Sequence, residues 1–300
     1  MGSEMCIRDR SYYGNGTSQY FQSAQDIGTN DAYSIAVWMK WNGGYDSNYA
    51  SLWDTRYSSG QGLALALRSN STNSDELFLF GSSLDGTQAV RESSHRMLGY
   101  EDGWHLITTT WDYGASPKDI KVYLNADETP TISTTLNSTA FQVSGNVIRF
   151  FGSEAGSSAN FKGSMGQAGV WEGRVLTTSD IADLWALGPA GNWTTSFSTS
   201  LAAYYAVGNH NTLAGRPADD ATNVYDRSGN ANDGTIAGSM RAPNIGTKIT
   251  PYGTVKHSTD RNHKGSSAIF FDGDSDYLEI MPNALGPESK TCDLTFEAWV

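Results

Sequence analysis

The chain has 300 residues, a net charge of −12, 12% aromatic but only 17% charged residues, and 32 Gly. The negative balance argues against a nucleic-acid face, which needs clustered Lys and Arg, and no window reaches the roughly 18 apolar residues of a membrane helix. Two cysteines, Cys6 and Cys292, are too few and too far apart for a disulfide scaffold.

Residues 1–10, MGSEMCIRDR, have no period and are set aside as a non-native or disordered leader. From Ser11 to Trp171 the pattern is period two, broken by turn clusters. Ser34 to Met39 is a strand, and Asn42-Gly43-Gly44 ends it. Ala50 to Tyr57 and Leu63 to Arg68 form a pair around Ser58-Ser59-Gly60. Leu77-Phe78-Leu79-Phe80 is a short, fully apolar strand. Trp104 to Trp111 places His105, Ile107, Thr109 and Trp111 on one face. Ile120, Val122 and Leu124 alternate with Lys121 and Tyr123; Val147 to Phe151 and Phe161 to Trp171 close the set. Short strands at this spacing predict two stacked antiparallel sheets.

One helix is expected. Thr177-Thr178-Ser179-Asp180 reads as a capping box with Asp in the place of Glu, Ile181, Leu184, Trp185 and Leu187 share a face, and Gly188 stops it. Residues 191–200 read as a Gly/Ser/Thr-rich linker, although Trp193 and Phe197 suggest that it packs. A new strand begins at Leu201, followed by a turn-rich stretch from Asp226 to Thr235.

A short passage occurs twice. Tyr13-Gly14-Asn15-Gly16-Thr17-Ser18-Gln19-Tyr20 and Phe270-Phe271-Asp272-Gly273-Asp274-Ser275-Asp276-Tyr277 share an aromatic, an Asn/Asp-Gly turn, a Ser and a Tyr, and each leads to a strand with a Trp, Trp38 and Trp299. The repeat implies tandem modules: a leader at 1–10, a sandwich at 11–190, a linker at 191–200 and the first part of a second sandwich at 201–300, which is expected to be less ordered than 11–190 or to lean on the first.

No strand carries two acids two or four residues apart, as a glycosidase pair would require. Glu297 stands alone, Asp75-Glu76 is a turn pair, and none of the five histidines has a partner at metal-ligand spacing. No catalytic residue is expected. Aromatic faces can stack on a sugar while amides fix its hydroxyls. Trp41, Tyr45, Tyr49, Trp53 and Tyr57 gather around the polar loop Asn42 to Asn48, and Asp112-Tyr113 follows a strand end. Trp41 and Tyr45 fall beyond the strand's alternation and are expected to be exposed.

The two Asn/Asp-Gly passages, Trp104-His105 through Trp111-Asp112, Phe161-Lys162-Gly163 with Val170-Trp171 and Asp180-Ile181, and the Asp226-x-Ser228-Gly229-Asn230 turn resemble the laminin-G-like, concanavalin-A-like jelly-roll family. The resemblance implies an all-β antiparallel jelly-roll sandwich, with one short helix closing the first module and a truncated second sandwich. It departs from the family at Tyr123-Leu124-Asn125-Ala126, where a Gly is expected, and in lacking an Asp-x-Ser-Gly-Asn passage ahead of Asn15. Some members hold a structural calcium where such turns meet, for which Asp226, Asp233, Asp272, Asp274 and Asp276 are the candidate ligands; Asp also simply suits turns. The resemblance further implies a glycan-binding or adhesive module of a larger extracellular, cell-surface or virion protein, flanked by neighbouring modules. Alternatives are a structural spacer and an accessory domain beside a glycoside hydrolase.

Overall fold

The computed structural model describes residues 12–15, 19–26, 32–41, 49–56, 61–69, 75–83, 89–96, 103–116, 118–136, 147–153, 160–189, 191–206, 219, 222–238, 249–252, 256–258, 268–270 and 277–280. The chain forms two compact units, Met1–Pro243 and Asn244–Val300. In the first unit the strands begin with β1 (Tyr12–Asn15), β2 (Tyr20–Asp26), β3 (Ala32–Trp41), β4 (Tyr49–Asp54), β5 (Gly62–Ser69), β6 (Asp75–Ser82) and β7 (Ala89–Arg96). They continue with β8 (His105–Asp112), β9 (Lys118–Leu124), β10 (Ile132–Leu136), β11 (Val147–Phe150) and β12 (Lys162–Glu172). Helices α1 (Thr178–Leu187) and α2 (Trp193–Ser196) come next, then β13 (Leu201–Ala206), β14 (Asn223–Val224) and β15 (Gly234–Ala237). In the second unit β16 (Ile249–Tyr252) pairs with β19 (Tyr277–Ile280), and β17 (Lys256–Ser258) with β18 (Ala268–Phe270), both antiparallel.

The first unit is an antiparallel jelly-roll sandwich. One sheet runs β1-β12-β3-β8-β9-β10 with β13 also on β12; the other runs β14-β15-β2-β11-β4-β5-β6-β7. The alternation seen in the sequence is what joins them. In β3, Tyr33, Ile35, Val37, Met39 and Trp41 point into the core between the sheets, while Ala36 and Trp38 join a second cluster on the outer side of the seven-stranded sheet. Trp111 stacks on its cross-strand neighbour Tyr33 at 5.3 Å and, across the core, on Trp53 at 6.0 Å.

The second cluster exists because the two helices cover that outer side. Ile181, Leu184, Trp193 and Phe197 bury against Trp38, Trp171 and Tyr204, and Trp38 stacks on Trp185 at 4.9 Å. Trp193 lies so close to β12 that a Cβ on Gly169 would come within 2.8 Å of its ring. The expected linker at 191–200 is therefore a packed element: α2 is capped by Asn192 and seats a fully buried Trp193.

The predicted capping box is present. Thr177 accepts from the Asp180 backbone, and Asp180 accepts from the Thr177 backbone and hydroxyl and from Arg174. Burial pushes the Asp180 carboxyl up, but these donors outweigh it and hold it below its ordinary 3.8. A depressed carboxyl stabilises the fold above its ordinary pKa and loses that contribution as pH falls through the folded value. Replacing Asp180 by Ala is expected to cost about 1 kcal/mol at neutral pH. The gap from the parent should shrink below about pH 4, which thermal melts across that range check.

The hairpin that lacks Gly is solved by Asn125. It takes a left-handed conformation at φ 58, and its side chain accepts from the Leu106 backbone at 3.2 Å. Asn is one of the few residues that tolerate this region.

The boundary expected between 190 and 201 does not divide the sandwich from β13, β14 and β15, which belong to it. β3 occupies one flank of β12, so β1 and β13 share the other, end to end: Leu201 to Ala206 lie opposite Trp171 to Gln167, and Tyr12 to Asn15 opposite Met165 to Lys162. In the other sheet β15 adds to β2, and β14 to β15. The reason lies in the side chains: Tyr204, Tyr205 and Val224 are fully buried, Tyr205 against Phe21 at 5.0 Å and Phe150 at 5.9 Å.

Candidate functional site

With α1 and α2 on the outer side of the seven-stranded sheet, the outer face of the eight-stranded sheet is where the fold displays a decorated surface. Alternation decides which residues reach it. In β6, Leu77 and Leu79 enter the core, leaving Glu76, Phe78 and Phe80 on the other face. In β5, Leu63, Leu65 and Leu67 enter the core, leaving Ala64, Ala66 and Arg68. Ala64 pairs with Phe80 and Ala66 with Phe78, so small residues sit opposite large rings and are fully covered.

Three rings form the centre of this face. Phe78 and Phe80 stack at 5.0 Å, and Tyr49 from β4 lies 5.7 Å from Phe78 and 5.6 Å from Phe80. Two guanidinium groups rest on them: Arg68 stands 4.1 Å over Phe78 and Arg56 4.3 Å over Phe80. Each is held from the side by a carboxylate, Arg68 by Glu76 at 2.6 Å and Arg56 by Asp54 at 2.7 Å. Asp54 is completely buried and also accepts from the Ser153 hydroxyl at 2.7 Å. Cation–π contacts of this kind contribute about 0.5–1 kcal/mol each when exposed; their larger effect here is to hold long side chains in one place. Phe78 is closed off at 4% exposure, while Tyr49, Phe80, Arg56, Arg68 and Glu76 stay half-buried. Further along the sheet, Arg149 stands 4.8 Å over the Tyr20 ring and donates to Gln22.

Of the aromatic residues expected to meet a ligand, only Tyr49 reaches this face among the described residues. Trp41 is 2% exposed, because β3 continues through it and it extends the inward series Tyr33 to Met39. That corrects the expectation that it lies outside. Trp53 and Tyr113 are likewise in the core at 1% and 3%. Asp112 closes the turn after β8, accepting from the Gly114 and Ala115 backbones at 2.9 Å each. Tyr45 and Tyr57 lie outside the described residues. Phe78, Phe80, Arg56, Arg68 and Glu76 were not anticipated. The signal was the alternation of Leu and Phe in Leu77-Phe78-Leu79-Phe80, aliphatic inward and aromatic outward.

The calcium ligands divide in the same way. Asp272, Asp274 and Asp276 lie outside the described residues. Asp226 is fully buried, and both its oxygens face donors: the Tyr204 and Ser228 backbones at 2.8 Å each, the Ser228 hydroxyl at 2.8 Å and the Asn232 backbone at 2.9 Å. Asp233 accepts from the Asp226 backbone at 3.0 Å. Calcium wants oxygens around it, not N–H and O–H groups, so the Asp226 turn does not fit the ion. Among the described residues no group of three His, Cys, Asp or Glu is placed to hold a metal, and no helix is long and apolar enough to cross a membrane.

Residues 15–182 match a family described as the Concanavalin A-like lectin/glucanases superfamily. No curated protein matches the chain. Among solved structures, a protein of Bacteroides ovatus ATCC 8483 named as a candidate carbohydrate binding protein is similar at TM-score 0.53 and 15% identity, over 79% of this chain and 61% of that one. The chain thus spans about three fifths of the length of that protein. A heptameric SAP-like pentraxin from Limulus polyphemus is similar at 0.45 and 13% identity, over 61% of this chain and 84% of that one. The CBM40 of the Ruminococcus gnavus IT-sialidase, bound to alpha2,3 sialyllactose, is similar at 0.42 and 13%, over 58% of this chain and 96% of that one. At such identities the likeness concerns the fold.

Proposed function

Because the chain belongs to the concanavalin A-like lectin/glucanases superfamily, we propose that its sandwich is a non-catalytic module that holds a glycan on the outer face of the eight-stranded sheet. The observation that carries this reading is the immobilised group of Tyr49, Phe80, Arg68 and Glu76. A half-buried ring offers a flat apolar surface to a pyranose, and a guanidinium and a carboxylate fixed beside it offer donors and acceptors to hydroxyls. Fixing these groups in advance lowers the entropy lost on binding. Tyr45 and Tyr57 belong to the same proposal, since they flank the strand of Tyr49 in sequence. The two acids beside these rings, Asp54 and Glu76, are each engaged by an arginine, which supports binding rather than hydrolysis. In this reading the sandwich is one module of a larger extracellular, cell-surface or virion protein.

The test is a glycan array probed with the full chain, followed by titration of any hit. Replacing Tyr49 and Phe80 together by Ala is expected to weaken binding at least tenfold, about 1.4 kcal/mol, with the parent's circular dichroism retained. An array without hits, or a double variant that binds as tightly as the parent, overturns the proposal.

A further inference from the structure

Within 201–237, the described residues 201–206, 219 and 222–237 form a clip that is hydrogen-bonded within itself and adds strands to both sheets. Within the clip, the Asp226 carboxylate ties the Tyr204 backbone to the turn at Ser228 and Asn232. The Arg227 backbone donates to Tyr204 O at 2.7 Å, and the Asn230 and Asn232 amides donate to the Leu201 and Ala202 carbonyls at 2.8 and 2.9 Å. A buried ion pair, Arg227 with Asp219 at 3.0 Å, lies in the same segment. Towards the rest of the sandwich, β13 adds to β12 and β15 to β2. The Tyr205 hydroxyl meets Ser23, the Tyr204 hydroxyl donates to Gln167 at 3.1 Å, and Asn232 donates to Gln25 at 2.7 Å.

The covalent link between clip and host is short. Phe197 and Leu201 are both buried, and only Ser198, Thr199 and Ser200 join them. Ser200 sits at φ 62, the left-handed region that an L side chain adopts at a cost. A short connection under strain is the arrangement that invites exchange of an element between copies, because opening it relieves strain while the strand pairings of the element are remade identically.

We infer that the clip is exchangeable, and that residues 201–237 of one copy of this chain can close the sandwich of a second copy through the same edges of β12 and β2. The partner is another molecule of the same sequence, and the product is a strand-exchanged dimer or a longer chain of linked sandwiches.

Gln22 and Thr235 face each other across β2 and β15. Paired antiparallel Cα atoms lie about 4.5–5.5 Å apart, within disulfide reach. The experiment uses full chains carrying Cys6→Ser and Cys292→Ser. Gln22→Cys and Thr235→Cys in one chain should bridge within the monomer on dilute oxidation. Two single variants, one carrying Gln22→Cys and the other Thr235→Cys, are then refolded together at rising protein concentration and oxidised. Exchange predicts a disulfide-linked heterodimer whose fraction rises with concentration and exceeds the homodimers of each variant alone. If the double variant bridges internally while the mixed singles give no excess heterodimer, the clip stays with its own sandwich and the inference fails. A double variant that does not bridge also overturns it, since residues 22 and 235 would then not be neighbours.

Discussion

Truncating Tyr205 to Ala is expected to cost about 4 kcal/mol, in the range of large buried aromatics cut back to Ala. For a unit of this size that corresponds to a fall in unfolding midpoint of roughly 8–16 °C. The ring is completely buried between Phe21 and Phe150. Its hydroxyl meets Ser23 and donates to the Asn232 carbonyl, and burial pushes the phenol well above its ordinary pKa. Tyr205→Phe keeps the ring and should lose only about 1–2 kcal/mol for the broken hydrogen bonds. Tryptophan fluorescence follows the transition, because Trp53, Trp111 and Trp171 lie in the sandwich that Tyr205 completes. A Tyr205→Ala midpoint equal to the parent's would mean that β13 is not part of this core.

Replacing Asp226 by Ala should be comparably severe, at about 3–5 kcal/mol. The carboxylate accepts from four donors in a fully buried position. Removing it leaves the buried N–H of Tyr204, at a cost of about 1–3 kcal/mol, and the half-buried N–H groups of Ser228 and Asn232 without their acceptor, and empties a fully buried site. Asp226→Asn is expected to fall between, since it retains one oxygen but turns an amide N–H₂ towards groups that are themselves donors. Urea unfolding of the three proteins measures the order. The same urea titrations decide between a turn and a metal site: a chelator should leave the parent's midpoint in place, whereas loss of a calcium held by Asp226 would reproduce the effect of the substitution.

The sandwich could be read from the chain because its strands alternate strictly. Tyr33 to Trp41 and Ile120 to Leu124 place apolar groups on the core face by the two-residue period alone. The helix could be read because a capping box is a local device, complete within four residues from Thr177. Partner choice was less accessible. Leu201 to Tyr205 announces a strand, but nothing local says that its neighbour is β12, whose last paired residue lies beyond two helices. The outward face failed for a different reason. Trp41 looked like the end of a pattern because a glycine-rich loop comes after it, yet its parity matches that of the core residues before it. Phe78 and Phe80 looked like core because they are apolar, yet arginine side chains reach over them from neighbouring positions. Hydrophobicity says that a ring will be covered; it does not say by what.

The end-to-end placement of β13 and β1 along β12 has a consequence for biosynthesis. The pieces that seal both sheets are the last of this unit to leave the ribosome, whereas the strands they seal, β2 and β12, are made earlier. At roughly 5–20 residues per second, a nascent chain spends seconds with most of its layers translated and two unpaired margins exposed. Such margins template association with other chains. Translation pauses or chaperone contacts that act before residue 237 emerges should therefore govern the yield of soluble protein more strongly than those that act after it.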